Sequence, residues 1–241
     1  MARSTEMSPR TKARLAGAFY LLTMLLGIFA QVGVSERLIV VGNAAATASN
    51  IVTQESFFRL GYAVYLIEMA CQITMTVLFF DLLKPVSKGA ALLAATFSLT
   101  GCIIKTVSRV FFASPLLVLG GAHYLTVFSE AQLEALALLV LRVNYLGETT
   151  AVVFFGLYAI VKGYLVFRST FLPRILGVLS AAGGVGWLTY LYEPLAVRVL
   201  AVVMAAALVG ALAIIGWLLV VGVHEDRWRE QASAARESIW Q

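Results

Sequence analysis

The residues best suited to chemistry are ionisable side chains that lie inside long apolar stretches of the sequence. Glu68, Lys105 and Glu148 each fall in such a stretch. A charge in hydrocarbon costs roughly 3 kcal/mol, so it usually faces protein or water and has a partner of opposite charge. We therefore expect the carboxylate of Glu68 or Glu148 to form an ion pair with the ammonium of Lys105.

Helical spacing adds further polar residues to these charges. Gln72 follows Glu68 by four residues and Arg109 follows Lys105 by four, so each pair shares one helix face. Arg109 lies near the end of its apolar stretch, where a long side chain can snorkel to headgroups without a partner. We predict one polar cluster between three helices, which consists of Glu68, Gln72, Lys105, Arg109, Asn144 and Glu148.

Three interpretations of this polar cluster stay open. In the first, it is a structural ion pair that fixes the register of the helices. In the second, it lines an outward-opening cavity for a small polar or amphiphilic ligand, an ion or a lipid headgroup. In the third, Glu68 and Glu148 perform acid–base catalysis on a lipid, although no nucleophile or substrate-pocket motif accompanies them. Our leading hypothesis is ligand binding, and we predict no catalytic residue.

Other kinds of site lack a signal in the sequence. His123 and His224 are the two histidines, and neither an HExxH motif nor a cysteine cluster is present, so we predict no metal site. Cys71 and Cys102 lie in apolar stretches, where packing is their expected role. The sequence has no phosphate-binding loop and no basic segment interleaved with aromatic residues. We therefore predict neither a cofactor nor nucleic-acid binding.

The elements that position these residues are six long apolar stretches. The chain has 241 residues, of which 61% are hydrophobic and 13% are charged, whereas soluble proteins average about 25% charged residues. A spanning helix needs about 20 apolar residues. Stretches near that length occur at 14–34, 57–83, 90–112, 143–166, 175–192 and 195–221. We predict an all-α fold, a polytopic transmembrane bundle of about six helices, as a single membrane domain.

The distribution of basic residues predicts the orientation, because Lys and Arg accumulate in cytoplasmic loops. Both ends of the chain and the second connection are basic, and the fourth connection carries Lys162, Arg168 and Arg174. We therefore expect both termini in the cytoplasm, with segments 1–13 and 223–241 flanking a membrane domain at 14–222. Arg168 and Arg174 are then placed to meet lipid headgroups.

Segments outside the spans carry local signals of their own. Asn43 precedes an Ala-rich stretch and is expected to cap a short interfacial helix. Ser129 and Gln132 form a capping-box pattern that predicts a helix start, and a helix from there through the fourth span needs a section outside the bilayer. Segment 116–128 is the candidate for a re-entrant element. For the tail at 224–241 we favour a solvated end over a surface helix.

Small residues predict where helices approach one another closely. Gly156 and Gly163 share the helix face of Glu148, and four glycines concentrate in the fifth stretch at positions 177, 183, 184 and 186. Glycine allows two helix backbones to pack without intervening side chains. We therefore expect close helix contacts along both stretches.

Four segments resemble a known bacterial family. They read Ala-Arg-Leu-Ala-Gly-Ala-Phe-Tyr-Leu-Leu at 13–22, Gly-Asn-Ala-Ala-Ala-Thr-Ala at 42–48, Gly-Tyr-Leu-Val-Phe-Arg-Ser at 163–169 and Leu-Pro-Arg-Ile-Leu-Gly at 172–177. In this order they resemble the family designated DUF4386, whose function is unknown. The resemblance implies a multi-pass protein of the bacterial inner membrane.

Overall fold

The computed structural model describes residues 7–237, and these residues form helices joined by short connections, with no strand among them. Within this range, six helices are long and apolar enough to cross a membrane. The outer parts of the two segments expected in the cytoplasm, residues 1–6 and 238–241, lie outside the described residues. The all-α fold class and the number of spans are therefore confirmed, and the orientation of the termini stays a prediction.

The helices are named here in chain order. They are α1 (Pro9–Leu38), α2 (Ala44–Thr53), α3 (Glu55–Leu83), α4 (Lys88–Ala113), α5 (Glu130–Arg168), α6 (Arg174–Trp187), α7 (Glu193–Val220) and α8 (Glu225–Glu237). Helices α1 and α3 to α7 contain the spans, and all five prolines of the sequence lie in the first two residues of these helices or outside them. The spans differ from the predicted stretches mainly in α5, which begins well before residue 143.

Two predicted helix starts are confirmed by their capping bonds. The backbone N–H of Ser129 donates to Gln132 Oε1 at 2.8 Å, and the Gln132 N–H donates to Ser129 Oγ at 3.4 Å. This reciprocal box begins α5, which then runs unbroken for 39 residues. The side chain of Asn43 accepts the N–H of Ala46 at 3.0 Å and caps α2.

Segment 116–128 contains only short helical pieces. A single turn at Pro115–Val118 is followed by a 3-10 turn at His123–Leu125. Several of its apolar side chains are exposed, including Leu117 and Val127. Such short, exposed pieces provide no long buried backbone, and the re-entrant interpretation stays a prediction.

Contacts between residues divide the chain into two compact units. Unit 1 contains the described residues of 1–21, 72–101 and 152–241, and unit 2 contains residues 22–71 and 102–151. The core of unit 1 includes Phe79, Tyr158 and Phe171, whereas the core of unit 2 includes Tyr65 and Phe112. Each unit is described separately below.

In unit 1, glycines bring α5 and α6 into backbone contact. A Cβ placed on Gly177 would lie 2.5 Å from the carbonyl oxygen of Gly163, and one placed on Gly184 would lie 2.6 Å from that of Gly156. No side chain larger than hydrogen fits at these positions. The predicted close packing of these glycines is confirmed, and it holds the two helices together by dispersion contacts.

The described part of the C-terminal tail, helix α8, is docked on the rest of unit 1, so the prediction of a solvated end is wrong for these residues. The indole N–H of Trp228, on α8, donates to the carbonyl oxygen of Leu82 at 2.9 Å, and the ring packs against the core. Gln231 Oε1 accepts the backbone N–H of Thr170 at 3.1 Å. These bonds satisfy backbone groups that helix ends and connections leave open.

Unit 2 contains a local change of helix type. Helix α1 switches to π-helical bonding over Phe29–Ser35, in which each turn holds an extra residue. The two polar side chains of this turn, Gln31 and Ser35, both reach the hydroxyl of Tyr65 on α3, each at 2.9 Å. The widened turn therefore faces the polar residues described next.

Candidate functional site

An ion pair between α3 and α4 lies inside unit 2. Lys105 Nζ is 2.7 Å from Glu68 Oε1, and the two side chains are 17% and 6% exposed. Gly27, on α1, leaves space for this carboxylate, since a Cβ there would lie 3.1 Å from Glu68 Oε1. The other carboxylate oxygen, Oε2, is buried and has no hydrogen-bond partner among the described residues. The Glu68–Lys105 pair is thus largely buried, and Glu68 Oε2 remains able to accept a hydrogen bond.

A second ion pair in unit 2 joins α4 to α5 through Arg109. The Arg109 side chain is completely buried; it donates to Asn144 Oδ1 at 3.2 Å and forms an ion pair with Glu148. Its guanidinium also stacks on the ring of Tyr65, 3.4 Å from the centroid. The expectation that Arg109 snorkels to headgroups is therefore wrong. Its neighbours on two other helices supply the partners that a headgroup would otherwise provide.

Asn144 completes this second pair by bonding to both of its members. Its Oδ1 accepts from Arg109, and its Nδ2 donates to Glu148 Oε2 at 3.3 Å. Asn144 and Glu148 are four residues apart on α5, which places them on one helix face. The Glu148 side chain is 18% exposed, so its carboxylate is the more accessible end of this pair.

Tyr65 is the residue of this site that the sequence left out of the predicted cluster. The guanidinium of Arg109 stacks on its ring, and its hydroxyl bonds to Ser35 and Gln31 at 2.9 Å each. Tyr65 precedes Glu68 by three residues, and this spacing was a signal that it shares the same helix face. We use the name charge network for the unit 2 residues Tyr65, Glu68, Lys105, Arg109, Asn144 and Glu148.

Gln72, also predicted for the cluster, belongs to unit 1 and bonds to residues of that unit. Thr76 Oγ1 donates to the Gln72 carbonyl oxygen at 2.8 Å, which uses its one hydroxyl proton. Ser98 must therefore donate in its 2.7 Å bond to Thr76, while it accepts from Gln72 Nε2 at 3.4 Å. These three side chains form a directed chain between α3 and α4.

Lys162 is a buried charge that the sequence interpretation placed wrongly. It was assigned to a basic connection, yet it lies inside α5 in unit 1 and is only 2% exposed. Its Nζ lies over the rings of Tyr20, Phe79 and Tyr158, at 4.9, 5.2 and 4.9 Å from their centroids. Each such contact contributes about 0.5–2 kcal/mol. The interval of four residues from Tyr158 to Lys162 places both on one helix face, and this was the signal in the sequence for their contact.

Arg168 and Arg174, predicted to meet headgroups, lie at either end of the connection from α5 to α6. Both are exposed, and neither forms an ion pair within the part of the chain that the structure describes. The guanidinium of Arg174 lies over the exposed ring of Phe167, 5.7 Å from its centroid. Their charge therefore stays available to an anionic group.

The charge network contains two cations and two carboxylates, paired one to one. Removing each ion from water costs several kcal/mol, which the partner's charge and hydrogen bonds offset. Within residues 7–237, no group of three or more His, Cys, Asp or Glu side chains is arranged to hold a metal ion. The arrangement offers its charges and its two open polar atoms, on Glu68 and Arg109, to a molecule that can pair with them.

Comparison with known proteins places the chain in a family without assigning it an activity. No curated protein and no solved structure matches it. A family model described as a domain of unknown function, DUF4386, matches residues 15–222. This range contains the spanning parts of all six helices, in agreement with the resemblance seen in the sequence. The chain is a multi-pass membrane protein that belongs to the DUF4386 family.

Proposed function

We propose that this membrane protein binds a small polar or amphiphilic ligand at the charge network of unit 2. One observation carries the proposal: the network is enclosed but incomplete. Glu68 Oε2 is a buried acceptor and Arg109 Nε a buried donor, and both lack a partner among the described residues. Buried polar groups in proteins are almost always bonded. A ligand that provides one donor and one acceptor would complete both.

The exposure of the two ion pairs supports a route of approach. In each pair one member is nearly buried and the other is accessible: Lys105 is 17% and Glu148 is 18% exposed. An incoming anionic group therefore meets the ammonium of Lys105, and an incoming cationic group meets the carboxylate of Glu148. Arg109, the partner of Glu148, lies one helical turn from Lys105, about 6 Å along the axis of α4. The two ion pairs are therefore about one helical turn apart. This layout favours a zwitterion over a singly charged molecule.

The structural alternative is supported by the closure of both pairs. Each charge of the network already has a partner, and ion pairs of this kind hold helices in one register. In that case the network would accept no ligand, and its pairs could be replaced together without loss of function. For the enzymatic alternative we find no supporting contact, since the carboxylates of Glu68 and Glu148 each bond to a cation.

Thermal unfolding of the purified full chain in detergent tests the proposal. The probes are β-alanine, glycerophosphoethanolamine and phosphatidylethanolamine, with acetate and choline as singly charged comparisons. We compare the wild type with Glu68→Gln, Lys105→Met and the double variant. Lys88→Met is the control, because Lys88 is an exposed lysine outside the charge network.

We expect at least one zwitterion to raise the Tm of the wild type and of Lys88→Met, and to have no effect on either single variant of the pair. The double variant keeps the comparison valid if a single change strands a buried charge and prevents folding. A wild type that ignores every zwitterion, or an equal response in the double variant, would refute ligand binding at this network.

We also propose that the protein resides in the bacterial inner membrane, with Arg168 and Arg174 at the cytoplasmic headgroups. The family resemblance supports the first part. The exposure of both arginines supports the second, because anionic headgroups attract basic side chains close to the membrane surface.

A further inference from the structure

The ammonium of Lys162, in unit 1, is buried without a carboxylate beside it. The residue is 2% exposed, and it forms no ion pair with any other described residue. Three aromatic rings surround it, those of Tyr20, Phe79 and Tyr158. The ring faces carry only partial negative charge, so the positive charge of the site is not neutralised.

A small cavity of about 10 Å³ adjoins this ammonium. It is lined by Lys162 together with Phe79 and Tyr158, which are two of the rings that contact the ammonium. The charged end of the lysine therefore borders the cavity. A volume of roughly 10–15 Å³ admits one particle of the size of a water molecule. A carboxylate, phosphate or sulfate group does not fit.

The remaining lining supplies no other charge. Apart from Lys162, the described residues around the cavity are apolar or aromatic, and two of them, Thr76 and Tyr158, carry a hydroxyl. The Thr76 hydroxyl donates its proton to the carbonyl oxygen of Gln72 at 2.8 Å, so it has no second proton to offer to an occupant. Lys162 is the one charged residue among the described residues of the lining, and it sets the electrostatic preference of the site.

The geometry points to a binding site for one monatomic anion, a halide, beside Lys162. A halide matches the charge of the ammonium, and as a single atom it is smaller than a carboxylate, phosphate or sulfate group. Its apolar surroundings suit an anion that sheds its hydration shell readily, which favours bromide and chloride over fluoride. A bound halide would link α5 to α3 through the ammonium and the walls of the cavity.

Halide titration of the purified full chain tests this site. Thermal unfolding is measured in sodium gluconate and then with increasing fluoride, chloride or bromide at constant ionic strength. We compare the wild type with Lys162→Met, and with Lys88→Met as a matched control that removes an exposed lysine of the same unit. Only a halide site at Lys162 predicts that the two variants differ in how their Tm responds to halide.

We expect saturating bromide or chloride to raise the Tm of the wild type and of Lys88→Met by about 3 °C, and that of Lys162→Met not at all. Bromide-soaked crystals of the wild type should show an anomalous peak beside Lys162 Nζ, which keeps the test decisive if Lys162→Met fails to fold. A Tm independent of halide, or no such peak, would mean that water alone occupies the cavity and would overturn the inference. The ligand test in unit 2 is unaffected, because it uses other probes and other variants.

Discussion

The glycine contact between α5 and α6 makes a quantitative prediction about stability. The perturbation is Gly177→Ala, which adds one methyl group where two backbones meet. The new Cβ would lie 2.5 Å from the oxygen of Gly163 and 2.6 Å from the backbone nitrogen of Phe167, whereas ordinary contacts begin at 3.4 Å. Both atoms belong to the backbone of α5, so no side-chain rotation can relieve the overlap. The helices must separate by roughly 0.9 Å.

The magnitude follows from two opposing effects. Overpacking of this kind costs about 1–3 kcal/mol, and overlap with several backbone atoms places it near the upper end. Alanine offsets about 0.5–1 kcal/mol of that cost, because it is a better helix former than glycine. We expect Gly177→Ala to lower the free energy of unfolding by about 2 kcal/mol.

Gly216→Ala is the matched control for this change. Gly216 lies in α7, and nothing stands within 4 Å of a Cβ built there. The control should therefore raise the free energy of unfolding by about 0.5–1 kcal/mol through helix propensity alone. The assay is reversible unfolding in mixed micelles by titration with SDS, followed by circular dichroism. If Gly177→Ala proved as stable as Gly216→Ala, the close approach of α5 and α6 would be refuted.

Two further predictions concern the tail and the orientation. Trp228→Phe removes the bond to the Leu82 carbonyl at 2.9 Å; it should cost about 1 kcal/mol and lower the Tm by about 2–4 °C, and an unchanged Tm would contradict the docking of α8. For the orientation, Thr126→Cys should react with a membrane-impermeant maleimide in intact cells and Ser87→Cys should react only after lysis; the reverse pattern would place both termini outside.

The sequence was sufficient for the spans and for the local caps because both depend on short-range information. A stretch such as 57–83 is identified by the length and hydropathy of its own residues. The capping bonds of Asn43 and of Ser129 with Gln132 join residues only three positions apart. Such features need no knowledge of neighbouring helices, and the structure confirms them.

The partners of buried charges depended on information that one sequence does not contain. Helical spacing gave the face of α4 on which Arg109 lies, but not which helix faces it. The stacking on Tyr65 and the bond to Asn144 require the packing of three helices. The same limit explains Lys162, whose three rings come from α1, α3 and α5 and whose position in the sequence resembled a basic loop. The tail was misjudged because Trp228 finds its acceptor 146 residues away.

Helices α3 and α4 carry polar side chains in both units, and the two sets differ in whether their hydrogen bonds are complete. In unit 1, Thr76 and Ser98 each have a bonding partner, and neither leaves a buried side-chain oxygen open. Such a closed chain needs no occupant. In unit 2, the ion pairs of Glu68 and Arg109 are as deeply buried, yet each leaves one polar atom without a described partner. Completing hydrogen bonds was feasible in the first case, so the two open atoms in the second support the proposed ligand site.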